Sequence, residues 1–175
     1  MVGHRKYNVL FLSTGNQARS ILAEATLNAI AGERFTAFSA GSFPGPAPAP
    51  FALDLLRSSG ISTGGLRSKG WDEFAEEGAP KIDFIFTVCD DVAGEVCPIW
   101  PGHPANAHWG VPDPVTVQGE EDGRRLAFRH AYVQLRKRIE LFINLPFEKL
   151  DRLAVHSKCR PLARHCVRKG SNDGR

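Results

Sequence analysis

The segment VLFLSTGNQARSILAEA, residues 9–25, constrains the fold more than any other part of the chain. Tyr7–Leu12 forms an apolar run of the kind found in parallel strands covered on both faces. Ser13–Ser20 then reads as a tight turn. Beyond it, Ile21, Leu22, Ala25 and Ala29 fall on one face of a helix that ends at Gly32. A strand feeding a helix through a short turn is the opening half of a parallel β-α-β unit.

The same alternation continues. Phe35–Ala40 predicts a second strand, and GSFPGPAPAPFALDLLRSSG begins as a Pro-rich loop that becomes a helix near Pro50 and stops before Gly60. Trp71–Phe74 predicts one or two further helical turns. Asp83–Val88 predicts a third strand and Ala107–Val111 a short fourth one. From about Glu120 to Leu145, the apolar residues Phe128, Tyr132, Leu135, Ile139 and Phe142 form a stripe spaced by four and three, which predicts a core-packed helix ended by Pro146. The fold class expected is α/β: one domain over 1–150, a four-stranded parallel sheet with helices on both faces, followed by a flexible basic tail over 151–175.

Charge distribution narrows the partners. Residues 156–175 carry six Lys or Arg against one Asp, whereas the preceding 155 carry 16 basic and 18 acidic side chains. The body is mildly acidic, so no folded basic face for nucleic acid is expected. No apolar run approaches the roughly 20 residues of a membrane span, and Val9–Leu12 is too short for the core of a signal peptide. The expected setting is cytoplasmic, where Cys89, Cys97, Cys159 and Cys166 stay reduced unless they do redox work. His156, Cys159, His165 and Cys166 match no common zinc spacing, and no metal is expected.

The turn after the first strand carries the chemistry. Ligands bind at the carboxyl ends of parallel strands near a switch in strand order. Backbone N–H groups converging ahead of a helix N-terminus make an anion site. Gly15 is expected to supply an unusual backbone angle, with Asn16 the next most tolerant residue. Arg19 can present two parallel donors to a phosphate-like group. Ser20 can cap the helix or bond to whatever occupies position 13. The spacing is not that of a nucleotide-binding P-loop.

Residues 14–20, TGNQARS, resemble the loop that follows the nucleophilic cysteine in the low-molecular-weight tyrosine phosphatase family, whose motif is Cys-x5-Arg-Ser. FTVCDDVAGEVCPIWPG (86–102) and HWGVPDP (108–114) resemble the arsenate reductase branch of that family. The resemblance implies that Thr14, Gly15, Asn16, Gln17, Ala18, Arg19 and Ser20 bind arsenate or phosphate, with Arg19 as the clamp and Asp113 as general acid. Cys89 and Cys97 would relay reducing equivalents. No tightly bound cofactor is implied. The branch draws on an external thiol reductant, either thioredoxin or a glutathione–glutaredoxin system.

One residue departs from the pattern. Ser13 stands where the family has its nucleophilic cysteine. A hydroxyl is a useful nucleophile only beside a base, and the loop holds no His, Lys or carboxylate. The expectation is an arsenate reductase-like protein that, with serine at 13, binds the oxyanion without reducing it. Two alternatives stand beside it. A tyrosine phosphatase would typically place an aromatic residue after Asp113-Pro114, where this chain has Val115. The other alternative is a non-catalytic oxyanion-binding or sensing protein.

Overall fold

A computed structural model describes residues 5–89 and 104–147. Four parallel strands form one sheet in the order β2-β1-β3-β4. β1 is Tyr7–Ser13, β2 Phe35–Gly41, β3 Phe84–Thr87 and β4 Ala105–His108. Helix α1 spans Arg19–Ala31, α2 Pro50–Ser58 and α3 Glu121–Ile143, with single 3-10 turns at Trp71–Phe74 and Pro114–Thr116. The expected α/β class and four-stranded parallel sheet are therefore what the chain forms.

Burial explains the strand order. Val9, Leu10, Phe11 and Leu12 are wholly inaccessible to solvent, which requires β1 to be flanked on both edges and covered on both faces. It pairs with β2 from Tyr7–Phe35 to Ser13–Gly41, and with β3 from Val9–Phe84 to Leu12–Thr87. β4 is instead an exposed edge strand at every position. It lies two to three residues before the predicted Ala107–Val111; Trp109 N still donates to Thr87 O (2.7 Å), and its ring stacks on Phe86 with centroids 3.9 Å apart. Phe142 of α3 closes this cluster edge-on against Phe84 and Phe86.

The predicted stripe of α3 is its buried face: Phe128, Tyr132, Leu135, Ile139 and Phe142 are all inside. α1 corrects the expectation of a single apolar face. Ala23, Thr26 and Leu27 are buried as well as Ile21, Leu22 and Ala25, whereas Ala29 is exposed. The first half of α1 packs against β1, β2, α2 and α3, so that it is enclosed on most sides. Order 2-1-3-4 puts the switch point between β1 and β3. Ser13 ends β1 beside that switch point.

Candidate functional site

β1 delivers Ser13 to the sheet edge, and the chain then curls through 14–18 before α1 begins at Arg19. The curl turns at Asn16, whose φ is 46°. Gly15 has no positive φ, so the expected conformational role belongs to Asn16, a residue type that tolerates the left-handed region when its side chain is bonded locally. That side chain is wholly buried and saturated. Nδ2 donates to Ser20 Oγ (2.8 Å) and Ser39 Oγ (2.9 Å), and Oδ1 accepts from the Lys69 amide (2.9 Å).

The loop's carbonyls face outward and are each engaged. Thr14 O accepts from Phe43 N (2.9 Å), Gly15 O from Gly45 N (2.8 Å) and Gln17 O from Ala49 N (2.8 Å), while Asn16 O accepts from Ser68 Oγ (2.7 Å). With those carbonyls turned out, the amides of Gly15, Gln17, Ala18 and Arg19 find no acceptor among the described residues. They lie at the positive end of α1, an arrangement able to receive an anion.

The strap 43–49 was read from sequence only as a loop. A signal for its role was nevertheless present. Pro44, Pro46, Pro48 and Pro50 alternate with Phe43, Gly45, Ala47 and Ala49. Proline has no N–H, so an extended segment with this period carries donors only at alternate residues. Three of those four donors fasten the loop. Gly41, opposite Ser13 in the ladder, matters for space. A Cβ there would lie 2.4 Å from Thr14 O.

Arg19 is buried with both terminal nitrogens directed. Nη1 donates to Val111 O (2.8 Å) and Nη2 to Asp113 Oδ2 (2.8 Å). Asp113 Oδ1 accepts from Val115 N (3.0 Å), which caps the Pro114–Thr116 turn. Ser20 does not cap α1, whose N-cap is Ala18 without a side-chain bond. Its Oγ lies 2.7 Å from Ser13 Oγ instead. Among the described residues the other partner of Ser13 Oγ is Asn16 N at 3.2 Å. Neither is a base.

Cys89 is buried at the switch point, its Sγ 3.5 Å from Thr14 Oγ1. Behind the loop, Ser39 donates to Glu24, and Lys69 Nζ faces the same carboxylate at 3.6 Å. Burial pushes the Glu24 carboxyl up, and the Lys69 ammonium opposes that shift. Burial likewise pushes Lys69 down, against the pull of Glu24. Among the described residues no three His, Cys, Asp or Glu side chains come together to hold a metal ion.

Residues 8–154 match the family described as low molecular weight phosphotyrosine protein phosphatase. This chain belongs to that family. It is 33% identical over 134 residues to an arsenate reductase of Oceanobacillus iheyensis, covering 77% of this chain and 93% of that protein. The crystal structure of an arsenate reductase from Archaeoglobus fulgidus shares the fold with a TM-score of 0.57 and 26% identity, over 75% of this chain and 98% of that one. A thioredoxin-dependent arsenate reductase of Corynebacterium glutamicum shares it with a TM-score of 0.53 and 24% identity, over 80% and 65%.

Within this low-molecular-weight phosphatase fold, the loop residues 13–20, Arg19, Asp113 and Cys89 come together although they span 100 positions of sequence. Cys97, Trp100 and His103 lie outside the described residues, as does the basic tail with His156, Cys159, His165 and Cys166. Trp109 packs in the aromatic cluster, and His108 Nδ1 lies 2.8 Å from Thr87 Oγ1. Sequence reasoning missed the strap, Ser39, Glu24, Ser68 and Lys69, all of which hold the loop from outside.

Proposed function

We propose that the 13–20 loop binds arsenate or phosphate and that this chain is an arsenate reductase-like protein with serine in the nucleophile's place. The observation that carries the reading is the loop's inverted backbone. Its carbonyls are fastened outward, its amides are free, and Arg19 is held beside Asp113 at its rim. Such a cradle suits a tetrahedral oxyanion and nothing apolar.

Arg19 supplies the two-donor clamp. In this reading Asp113 is the acid that protonates a departing oxygen. Cys89, against Thr14, is within the same few residues of space and serves as the first relay thiol, with Cys97 as its resolving partner. A reductase needs two electrons for each arsenate, which the thiol pair supplies by closing a disulfide and an external dithiol carrier such as thioredoxin restores. Ser13, with two non-basic partners, cannot form the arsenic–sulfur bond that starts this sequence. As it stands, the chain binds the oxyanion and does not reduce it.

Ser13→Cys tests the reading. The new thiol would sit among free amides at a helix N-terminus, where thiolates are stabilised. Arsenate-dependent NADPH oxidation through thioredoxin and its reductase, or through glutathione and glutaredoxin, is the expected result, and Cys89→Ser in the same background should stop turnover. Hydrolysis of an aryl phosphate without NADPH consumption would assign the protein to the phosphatases instead. Arsenate binding with neither activity would leave it an oxyanion-binding protein.

A further inference from the structure

We propose that Ser13 is a hydrogen-bond donor to the bound oxyanion, held in that role by a buried relay through Glu24, Ser39, Asn16 and Ser20. The proposal rests on the reading that the 13–20 loop binds an oxyanion, and it assigns the serine a purpose there.

The direction of each bond follows from the one before it. The Lys69 backbone N–H can only donate, so the Asn16 atom it meets at 2.9 Å is the amide oxygen. The Asn16 amide nitrogen therefore faces Ser20 and Ser39 and donates to both hydroxyls. Ser39, having accepted, gives its own proton to Glu24, whose carboxylate faces Lys69. Ser20 has also accepted, and it is wholly buried. Its proton has one acceptor among the described residues, Ser13 Oγ at 2.7 Å; left unused, it would carry the full penalty of a desolvated donor.

Ser13 Oγ consequently accepts from Ser20 on one side and from Asn16 N on the other. A hydroxyl has two lone pairs and one proton. Both lone pairs are taken, and no described residue accepts the proton. It is left for a ligand in the curl of the loop, where the free amides of Gly15, Gln17, Ala18 and Arg19 also wait.

The consequence is a cradle whose near lining donates throughout and carries no negative charge at position 13. A thiolate there would oppose a dianion at close range. Serine replaces that repulsion with an additional charge-assisted bond. The ligand class is a tetrahedral dianion, for which sulfate and hydrogen phosphate above neutral pH are suitable probes.

The test compares phosphate and sulfate binding by calorimetry for the wild-type chain, Ser13→Ala and Ser13→Cys, each checked for folding by circular dichroism. Ser13→Ala should weaken both anions by roughly ten-fold or more, the loss expected for one hydrogen bond to a charged group. Ser13→Cys isolates charge from shape. Its dissociation constant relative to wild type should rise with pH as the thiol ionises, and stay flat if position 13 does not face the anion. Wild-type binding matched within two-fold by Ser13→Ala overturns the donor role while leaving the oxyanion site standing. Absence of phosphate and sulfate binding in the wild type overturns the oxyanion reading and the donor role with it.

Discussion

Arg19 Nη2 and Asp113 Oδ2 lie 2.8 Å apart, joining residues 94 positions distant in sequence. The bond ties the 13–20 loop to the segment that follows β4. The same guanidinium reaches Val111 O. Its plane is thus fixed before any ligand arrives, so less side-chain freedom remains to be lost on binding.

Arg19→Lys should therefore weaken phosphate binding more than any other conservative change in the loop. Lysine keeps the charge and loses the planar fork that spans Val111 and Asp113. A drop of ten-fold or more is expected, corresponding to about 1.5–3 kcal/mol for a hydrogen bond to a charged group. Calorimetric titration with phosphate checks it; equal affinity for the two proteins would remove Arg19 from the clamp role.

Ala49→Pro tests the strap. The backbone at Ala49 has φ −63° and ψ 133°, which proline adopts readily. The substitution removes the N–H that bonds Gln17 O at 2.8 Å and sets the proline ring against that oxygen. Leaving that carbonyl unpaired costs about 1–3 kcal/mol, and the ring's contact with it outweighs any gain from a stiffer unfolded chain. Phosphate affinity and the melting temperature should both fall. An unaltered affinity would show that the strap merely borders the loop.

Lys69→Met should make stability strongly pH-dependent. Lys69 is the cation facing the buried Glu24 carboxylate, and its removal leaves burial, which already pushes the Glu24 carboxyl up, with less to oppose it. A folded-state value raised above the unfolded one gives stability that is present at acid pH and lost as pH rises through the raised value. The variant should approach wild-type stability near about pH 4, close to the ordinary glutamate value. It should lose about 3–5 kcal/mol by neutral pH, as expected for an unpaired buried charge. Urea unfolding at several pH values measures this, and a loss independent of pH would point to packing alone.

The amino-acid sequence by itself determined the strand–helix alternation, the parallel sheet, the inner face of α3 and the position of the anion loop at the end of β1. Each of these rests on short-range regularities: an unbroken apolar run for a strand buried on both faces, a stripe at helical spacing, a turn between strand and helix. The sequence also named Arg19, Asp113 and Cys89 as candidates through three separated motifs, without saying how they touch. Only the tertiary structure decided what holds the loop open. Asn16 carries the positive φ because Ser20, Ser39 and Lys69 saturate its side chain from three separate segments. Glu24 and Lys69, ordinary surface residues by type, are partners inside because α1 and the segment after α2 meet behind β2. Such contacts join residues tens of positions apart, and hydrogen bonds leave no periodic trace along a chain. Only the alternating prolines of 44–50 wrote a long-range contact into the sequence in advance, because a missing N–H is a property of the residue itself.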